Sequence, residues 1–369
     1  MLRVTHGTND LLHAEDGTSY VDLISSTGAV FLGHANAAVN RHVVDQLDRL
    51  TCSWTSTTQV QDTAKAGLEA RAGGGLSLHS LYSSGTEAAD VALRMAFHRT
   101  QRTAVIGFRH NHHGKSLSVQ NITGVDPDVP VFDSFHPLPF LPDCSEAEVL
   151  ERFEHLLGSV HPAAVFVEPM QGRGGGHMAS AAFYAELQRV CTERDVLVIC
   201  DEIFCGGHRT GPFLLHRRLG LAPDIVLVGK AIANGFPAAG VMLASGWDLH
   251  PKDFRFSSTF SNNPIACAAV VGTIEELARI DVESAVATIE RALAGIDVDP
   301  ARMRLRGAAC FVDLPSETAA ASVHDHLFRE RVLALRRGHT IGLWPPATIE
   351  PDHLARVVHV LNDALAGFR

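Results

Sequence analysis

Lysine is scarce in this chain. Among 369 residues with 31 basic side chains, only Lys65, Lys115, Lys230 and Lys252 are lysines. Surface positive charge has gone almost wholly to arginine. A lysine directly after a buried-looking strand, Lys230, therefore invites a chemical explanation; the plain alternative is a chance survivor on the surface. Other absences exclude whole classes of function. No apolar run approaches membrane-spanning length, and MLRVTHGTND lacks the basic-then-apolar build of a signal peptide, so no membrane partner is expected. The seven cysteines form no CxxC pair, which suggests reduced thiols in a cytoplasmic protein. Basic excess is missing too: a net charge of -10 argues against a nucleic-acid partner. There is no internal repeat and no low-complexity segment.

What remains is an ordinary soluble composition, 46% hydrophobic and 20% charged, long enough for one large domain plus a smaller one. TAVIG (103–107), AAVFVE (163–168), VLVICD (196–201) and DIVLVGK (224–230) read as buried strands. Between the second and third, Phe183, Leu187, Val190 and Cys191 fall at helical spacing. This alternation predicts an α/β fold with a mainly parallel sheet. Three of the strands end on Glu168, Asp201 and Lys230, and ligands of open α/β sheets bind at the carboxyl ends of strands. Upstream, LYSSGTEAADVALRMAFHR (81–99) is a small-residue turn running into an Ala-rich helix. The free N–H groups of Gly85 and Thr86 make a ready anion site there, although capping by Ser84 or Thr86 explains the turn equally well. After Pro264 a long helix leads onward. The last hundred residues, with RLRGAACFVDL and a closing amphipathic helix from about His353 to Ala366, read as a smaller α+β domain.

The stretch VLVICDEIFCGGHRTG (196–211) admits three chemistries. An ATPase needs the phosphate loop G-x-x-x-x-G-K-[ST]; counting back from Gly114, the first glycine falls on Arg109, so HHGKS (112–116) fails on spacing. A metal site has ligand types in HNHH (110–113), Cys205 and His208, but no closed Cys/His quartet with zinc spacing, and no metal is expected. GRGGGH (172–177) puts His177 where a dinucleotide fingerprint needs glycine. The third chemistry uses every piece. Pyridoxal 5'-phosphate (PLP) needs an amine, Lys230, for a Schiff base; an acid, Asp201, at its pyridine nitrogen; and an anion cradle, the SSGT turn.

At this point the sequence resembles the class III aminotransferases (ornithine, acetylornithine and 4-aminobutyrate type) of PLP fold type I. The resemblance runs in order through DGTSYVDLISSTGAVFLGHAN (16–36), YSSGTEAADVALRMA, HHGKS, VEPMQGRGG (167–175), CDEIFCGGHRTG, PDIVLVGKAIANGFPAAGV, SSTFSNNPIACAA (257–269) and LWPPATI (343–349). It implies an N-terminal segment (1–40) packing with the small domain, a large PLP-binding domain (41–262) whose sheet is sandwiched by helices, and a small α+β domain (263–369). It implies Lys230 as Schiff-base lysine and base for the proton shift, and Asp201 at the pyridinium nitrogen. Ile203 is implied on one face of the ring and His112 on the other, where the family usually has Tyr or Phe. Ser84, Gly85 and Thr86 would hold the phosphate. Thr259 would reach the phosphate in the neighbouring subunit of a homodimer. Glu168 and Arg209 match positions with supporting roles.

Three departures bear on substrate. The family's Gln at the DExQ position is Phe204. The glutamate of QGE is Arg173. The arginine before the PP pair is Gly342. We expect Arg173 to replace that arginine as the grip on a substrate carboxylate, the alternative being a pairing of Arg173 with an acid elsewhere. Thr27 and Trp54 are expected along the same substrate pocket. The expected activity is amino transfer between an amino acid or amine and an oxo acid or aldehyde. The alternative is racemisation, decarboxylation or α/γ-carbon chemistry on the same cofactor, since one fold hosts many reactions.

Overall fold

The computed structural model describes residues 2–53, 56–124, 128–250 and 253–368. Near the N-terminus β1 (Val4–Thr8), β2 (Leu11–Ala14) and β3 (Ser19–Asp22) form an antiparallel meander. The central sheet follows: β4 (Ser77–Tyr82), β5 (Val105–Phe108), β6 (Phe135–Leu138), β7 (Ala164–Val167), β8 (Leu197–Asp201), β9 (Ile225–Gly229) and β10 (Ala239–Leu243). Their spatial order is β4-β10-β9-β8-β7-β5-β6, and only β10 runs against the rest. The mainly parallel sheet read from the apolar runs is therefore present, with strand ends at most two residues from the expected ones.

The runs are continuous because both faces of the sheet are covered. Successive side chains point to opposite faces. Val165 and Val167 join one hydrophobic core, and Ala164 and Phe166 join the other. On the second face lies the helix Gly85–Thr100, with Ala88, Ala89, Ala92 and Ala96 buried; small side chains let it sit close to the sheet. Ser84 caps this helix by accepting from the Glu87 N–H (3.1 Å), while Glu87 reaches back to the Ser83 N–H (2.9 Å). The helix Ala181–Glu193 lies on the first face.

The C-terminal part builds a second antiparallel sheet from β11 (Met303–Arg306), β12 (Ala309–Asp313), β14 (Leu335–Arg337) and β15 (Thr340–Leu343), in the order β11-β12-β15-β14. Between them the short β13 (Val332–Leu333) leaves this sheet and pairs in parallel with β3, so the two ends of the chain are joined. The joint is extended by Trp344 N–H to the Leu23 carbonyl and the Ser25 hydroxyl to the Trp344 carbonyl (2.8 Å). The helix Pro264–Arg279 packs on the helices Ala37–Leu47 and Gln59–Ala72 and on the turn Lys230–Ala233.

Candidate active site

The loops after β4, β5, β7, β8 and β9 leave the sheet at the same edge, where parallel strands present their carboxyl ends. Four of these strands, β5, β7, β8 and β9, are consecutive neighbours, which gathers His112, Glu168, Asp201 and Lys230 at one place. Lys230 follows β9 with a left-handed backbone (φ 48°), a conformation that costs energy in any residue but glycine and collects at functional sites. Burial pushes its amine pKa down, offset by the charges of Glu168 and Asp201. The shift is toward the neutral, nucleophilic form of the amine.

Asp201 is 2% exposed and has a partner that sequence reading missed. The Nδ1–H of His113 donates to its Oδ2 (2.8 Å), and the Ile203 N–H donates to its Oδ1 (3.0 Å). His113 is buried, lies against Phe166 (ring centroids 4.9 Å apart), and its Nε2 has no partner among the described residues. In the sequence His113 is hidden in a histidine cluster, where composition gives no reason to single it out. Glu168, wholly buried, accepts from the His112 N–H (2.6 Å) and the Gly172 N–H (3.3 Å). Desolvation first, and the Asp201 charge second, raise its pKa to about 8. The His112 ring goes the other way: burial, then the Arg173 charge, lowers its pKa to about 4. It is neutral, and its Nδ1 accepts from Arg173 Nη1 (3.3 Å).

The SSGT turn meets the HHGKS loop. Gly114 has φ 140°, and a Cβ there would come 2.8 Å from the Thr86 Cα, so the loop can touch the helix start only through glycine. The contact is sealed by the Lys115 N–H on Thr86 Oγ1 (3.3 Å). Among the described residues the N–H groups of Gly85 and Thr86 have no acceptor. Ile203 packs beside this turn, its Cδ1 2.8 Å from where a Gly85 Cβ would stand.

The rest of VLVICDEIFCGGHRTG is structural. Both Glu202 oxygens are used by the Leu215 N–H (2.7 Å), the His216 N–H (2.7 Å) and the His216 ring (2.8 Å). Cys200 stands within ligand distance of the same pair, yet the carboxylate it would share already has three donors. Arg209 is wholly buried and, without an acid partner among the described residues, donates to the Ala308 (3.0 Å) and Pro345 (2.6 Å) carbonyls and lies over Phe31 (4.6 Å). It ties the loop after β8 to the segment that carries Trp344. Phe204 is buried, with Lys230 Nζ 5.0 Å from its ring centre and the Trp344 ring 5.0 Å away at a steep angle.

Beside this cluster opens a cavity of about 960 Å³. Its wall includes His112, Gly172, Arg173, Arg337, Gly342 and Trp344, but neither Lys230 nor Asp201, so it adjoins the reactive groups rather than containing them. Thr27 is not among its lining residues; it is exposed at φ 60°, with its hydroxyl on the Ser26 carbonyl (2.6 Å). Trp54 lies outside the described residues. Thr259 is exposed, away from the cavity wall. The space an arginine at position 342 would use is closed by the Trp344 indole, which lies 3.2 Å from a Cβ built on Gly342.

This donor set suits PLP: an amine whose pKa burial pushes down, a carboxylate hydrogen-bonded by a histidine, two N–H groups at a helix start with no acceptor among the described residues, and an apolar side chain beside them. Comparison with known proteins agrees. The class-III aminotransferase family profile matches residues 1–365. The acetylornithine aminotransferase of Bacillus subtilis (strain 168) is 30% identical over 95% of this chain and 92% of its own. The 2-aminoadipate transaminase of Pseudomonas putida is 29% identical over 99% and 96%. Among solved structures, an amine transaminase from an uncultivated Pseudomonas species in a PLP-bound form superimposes with a TM-score of 0.89 at 24% identity, covering 100% of this chain and 95% of that one. A transaminase from the marine bacterium Virgibacillus gives the same score at 20% identity, covering 99% and 93%. These two show the PLP fold type I. The chain belongs to the class-III aminotransferases and is a PLP-dependent transaminase.

Proposed function

We propose that this aminotransferase acts on substrates that carry a carboxylate, held by Arg173. The observation that supports this most is the state of that side chain. Arg173 lines the cavity, makes no ion pair among the described residues, and touches only the neutral ring of His112. A guanidinium without a counter-charge in a concave wall is suited to a carboxylate. Two relatives are named for amino acids, acetylornithine and 2-aminoadipate, which is compatible with such a grip.

PLP, when bound, supplies an electron sink that lets an amino group leave one carbon and join another. The protein supplies the rest. Lys230 would offer its amine to the cofactor aldehyde and then serve as the base for the proton shift. Asp201, held by His113, would pair with the pyridine nitrogen and favour its protonated form. The Gly85 and Thr86 N–H groups, with the Ser84 turn, would hold the phosphate, and Ile203 and His112 would flank the ring. Phe204 puts an aromatic face where many relatives have an amide; it shields the Lys230 amine from water and offers no hydrogen bond.

The same reading makes the enzyme a homodimer. Thr259 is flanked by Phe254 and Phe260, which are 84% and 58% exposed in the single chain, and a second copy would cover them while Thr259 reaches the neighbouring phosphate site. A cytoplasmic location is supported by seven unpaired cysteines. Among the described residues no helix is long and apolar enough to cross a membrane. The test of the carboxylate grip is Arg173→Ala. It should raise KM for carboxylate-bearing donors by about 10- to 100-fold, the worth of a charged hydrogen bond. An unchanged KM would sink the idea.

A further inference from the structure

The cavity wall is uneven in charge. Its acids are already occupied: Asp143 by His110 (2.7 Å), and Asp313 by both Arg304 nitrogens (2.6 and 2.7 Å) and the Thr340 hydroxyl (2.6 Å). Of its cations, Arg304 is spent on Asp313, while Lys115 and two further arginines have no ion pair among the described residues. Arg173 and Arg337 both line the cavity, and neither has a carboxylate partner among the described residues. Two buried donors on the same wall are also unused, Asn111 Nδ2 and Trp344 Nε1. Every polar need left open here is for an acceptor.

Strand register shows why Arg337 faces this way. In the hairpin of β14 and β15, Leu335 pairs with Gly342, Arg336 with Ile341, and Arg337 with Thr340. Alternate residues share a face. Leu335, Arg337, Thr340 and Gly342 all line the cavity, while Ile341 is buried on the opposite side. Arg337 is thus the diagonal neighbour of Gly342, about 7–8 Å along the sheet and within reach of a long side chain. Gly342 offers nothing to the wall, and Trp344 fills the room above it. Arg173 comes from the other side, on the loop after β7. Burial, and then the Arg173 charge, lowers the Arg337 pKa.

We propose that Arg337 and Arg173 form a two-sided clamp for one substrate carboxylate, with Arg337 a specificity-determining residue supplied by the C-terminal sheet. The inference rests on the reading of Arg173 given above. Without an anion the two cations repel; a carboxylate between them removes that repulsion and offers each a charged hydrogen bond. The clamp discriminates acids from plain amines by differential binding, without touching the reacting atoms.

The experiment uses the holoenzyme and two donors of equal chain length, 5-aminopentanoate and its carboxylate-free analogue pentylamine. KM and kcat are measured for Arg337→Ala, Arg337→Lys, Arg173→Ala and the double variant. Both arginines are exposed, so folding is expected to survive, and retained cofactor absorbance checks it. Arg337→Ala should raise KM for the amino acid about 10- to 100-fold, leave kcat within about 3-fold, and leave pentylamine within about 2-fold. Arg337→Lys should restore part of the loss. The double variant should lose less than the product of the two single losses, because one anion is shared. An unchanged KM in Arg337→Ala, or an equal loss for both donors, overturns the clamp. If Arg173→Ala is selective and Arg337→Ala is silent, the clamp falls and the earlier reading stands. If Arg173→Ala is silent, that reading falls and the clamp with it.

Discussion

The two sides of the site are built on opposite plans. On the central sheet, Asp201, His113 and Glu168 are buried and bonded to one another or to backbone N–H groups, with Lys230 half-buried beside them. Across the cavity, Arg173 and Arg337 stand without an acid partner among the described residues, beside acids that are already used. The first side is pre-organised and the second waits for a ligand. This teaches where variation can be tolerated. A buried, hydrogen-bonded cluster leaves an unpaired group if one of its bonded members changes. An exposed arginine can be moved from one strand to the next, as the pair Gly342 and Arg337 illustrates, as long as its end reaches the same space.

Variants sharpen the contrast if those of the first side cost all substrates alike. Lys230→Ala should have the largest effect, a loss of at least about 10³-fold in amino transfer with every donor, since nucleophile and proton carrier go together. Borohydride reduction should no longer label position 230. Asp201→Asn keeps the shape but not the charge and should cost roughly 10²-fold in kcat, again without regard to the donor. His113→Leu removes the group that orients Asp201. It should cost about 10-fold and move the pH at which the cofactor absorbance changes, a signature that a mere packing defect would not give. Donor-selective losses in any of these three would break the comparison.

The smallest effect concerns pH. His79, His112 and His177 have pKa values lowered to about 4 by burial, below the unfolded value. A base depressed in this way contributes stability that is complete above about 6.5 and is lost as pH falls toward 4. His112→Phe should therefore reduce the drop in Tm between pH 6.5 and 4.5 by roughly 1–3 °C. An identical drop in both proteins would show that His112 is not held neutral in the fold.

The same contrast explains what could be read from the chain. Strand positions were legible because β5, β7, β8 and β9 are buried on both faces and so appear as unbroken apolar runs. The residues at their ends follow directly, and Glu168, Asp201 and Lys230 were in view from the start. Three things were not. His113 sits in a run of histidines, and only the fold shows that it, rather than His112, holds Asp201. Arg337 depends on the pairing of β14 with β15, a non-periodic feature that composition does not record. The replacement of an arginine by the Trp344 ring is a matter of volume, visible only once Gly342 and Trp344 are seen in contact. Trp54 lies outside the described residues, and Thr27, expected on the pocket, stays off the cavity wall.

The central claim is an intact aminotransferase cluster facing a cavity that selects for a carboxylate. It is tested most directly by rapid mixing of the wild-type holoenzyme with 5-aminopentanoate or pentylamine, following the visible cofactor band. We expect bleaching with both and recovery on adding an oxo acid, with kcat/KM at least about 10-fold higher for the amino acid. Equal rates with the two donors, or a band that never bleaches, would contradict the account.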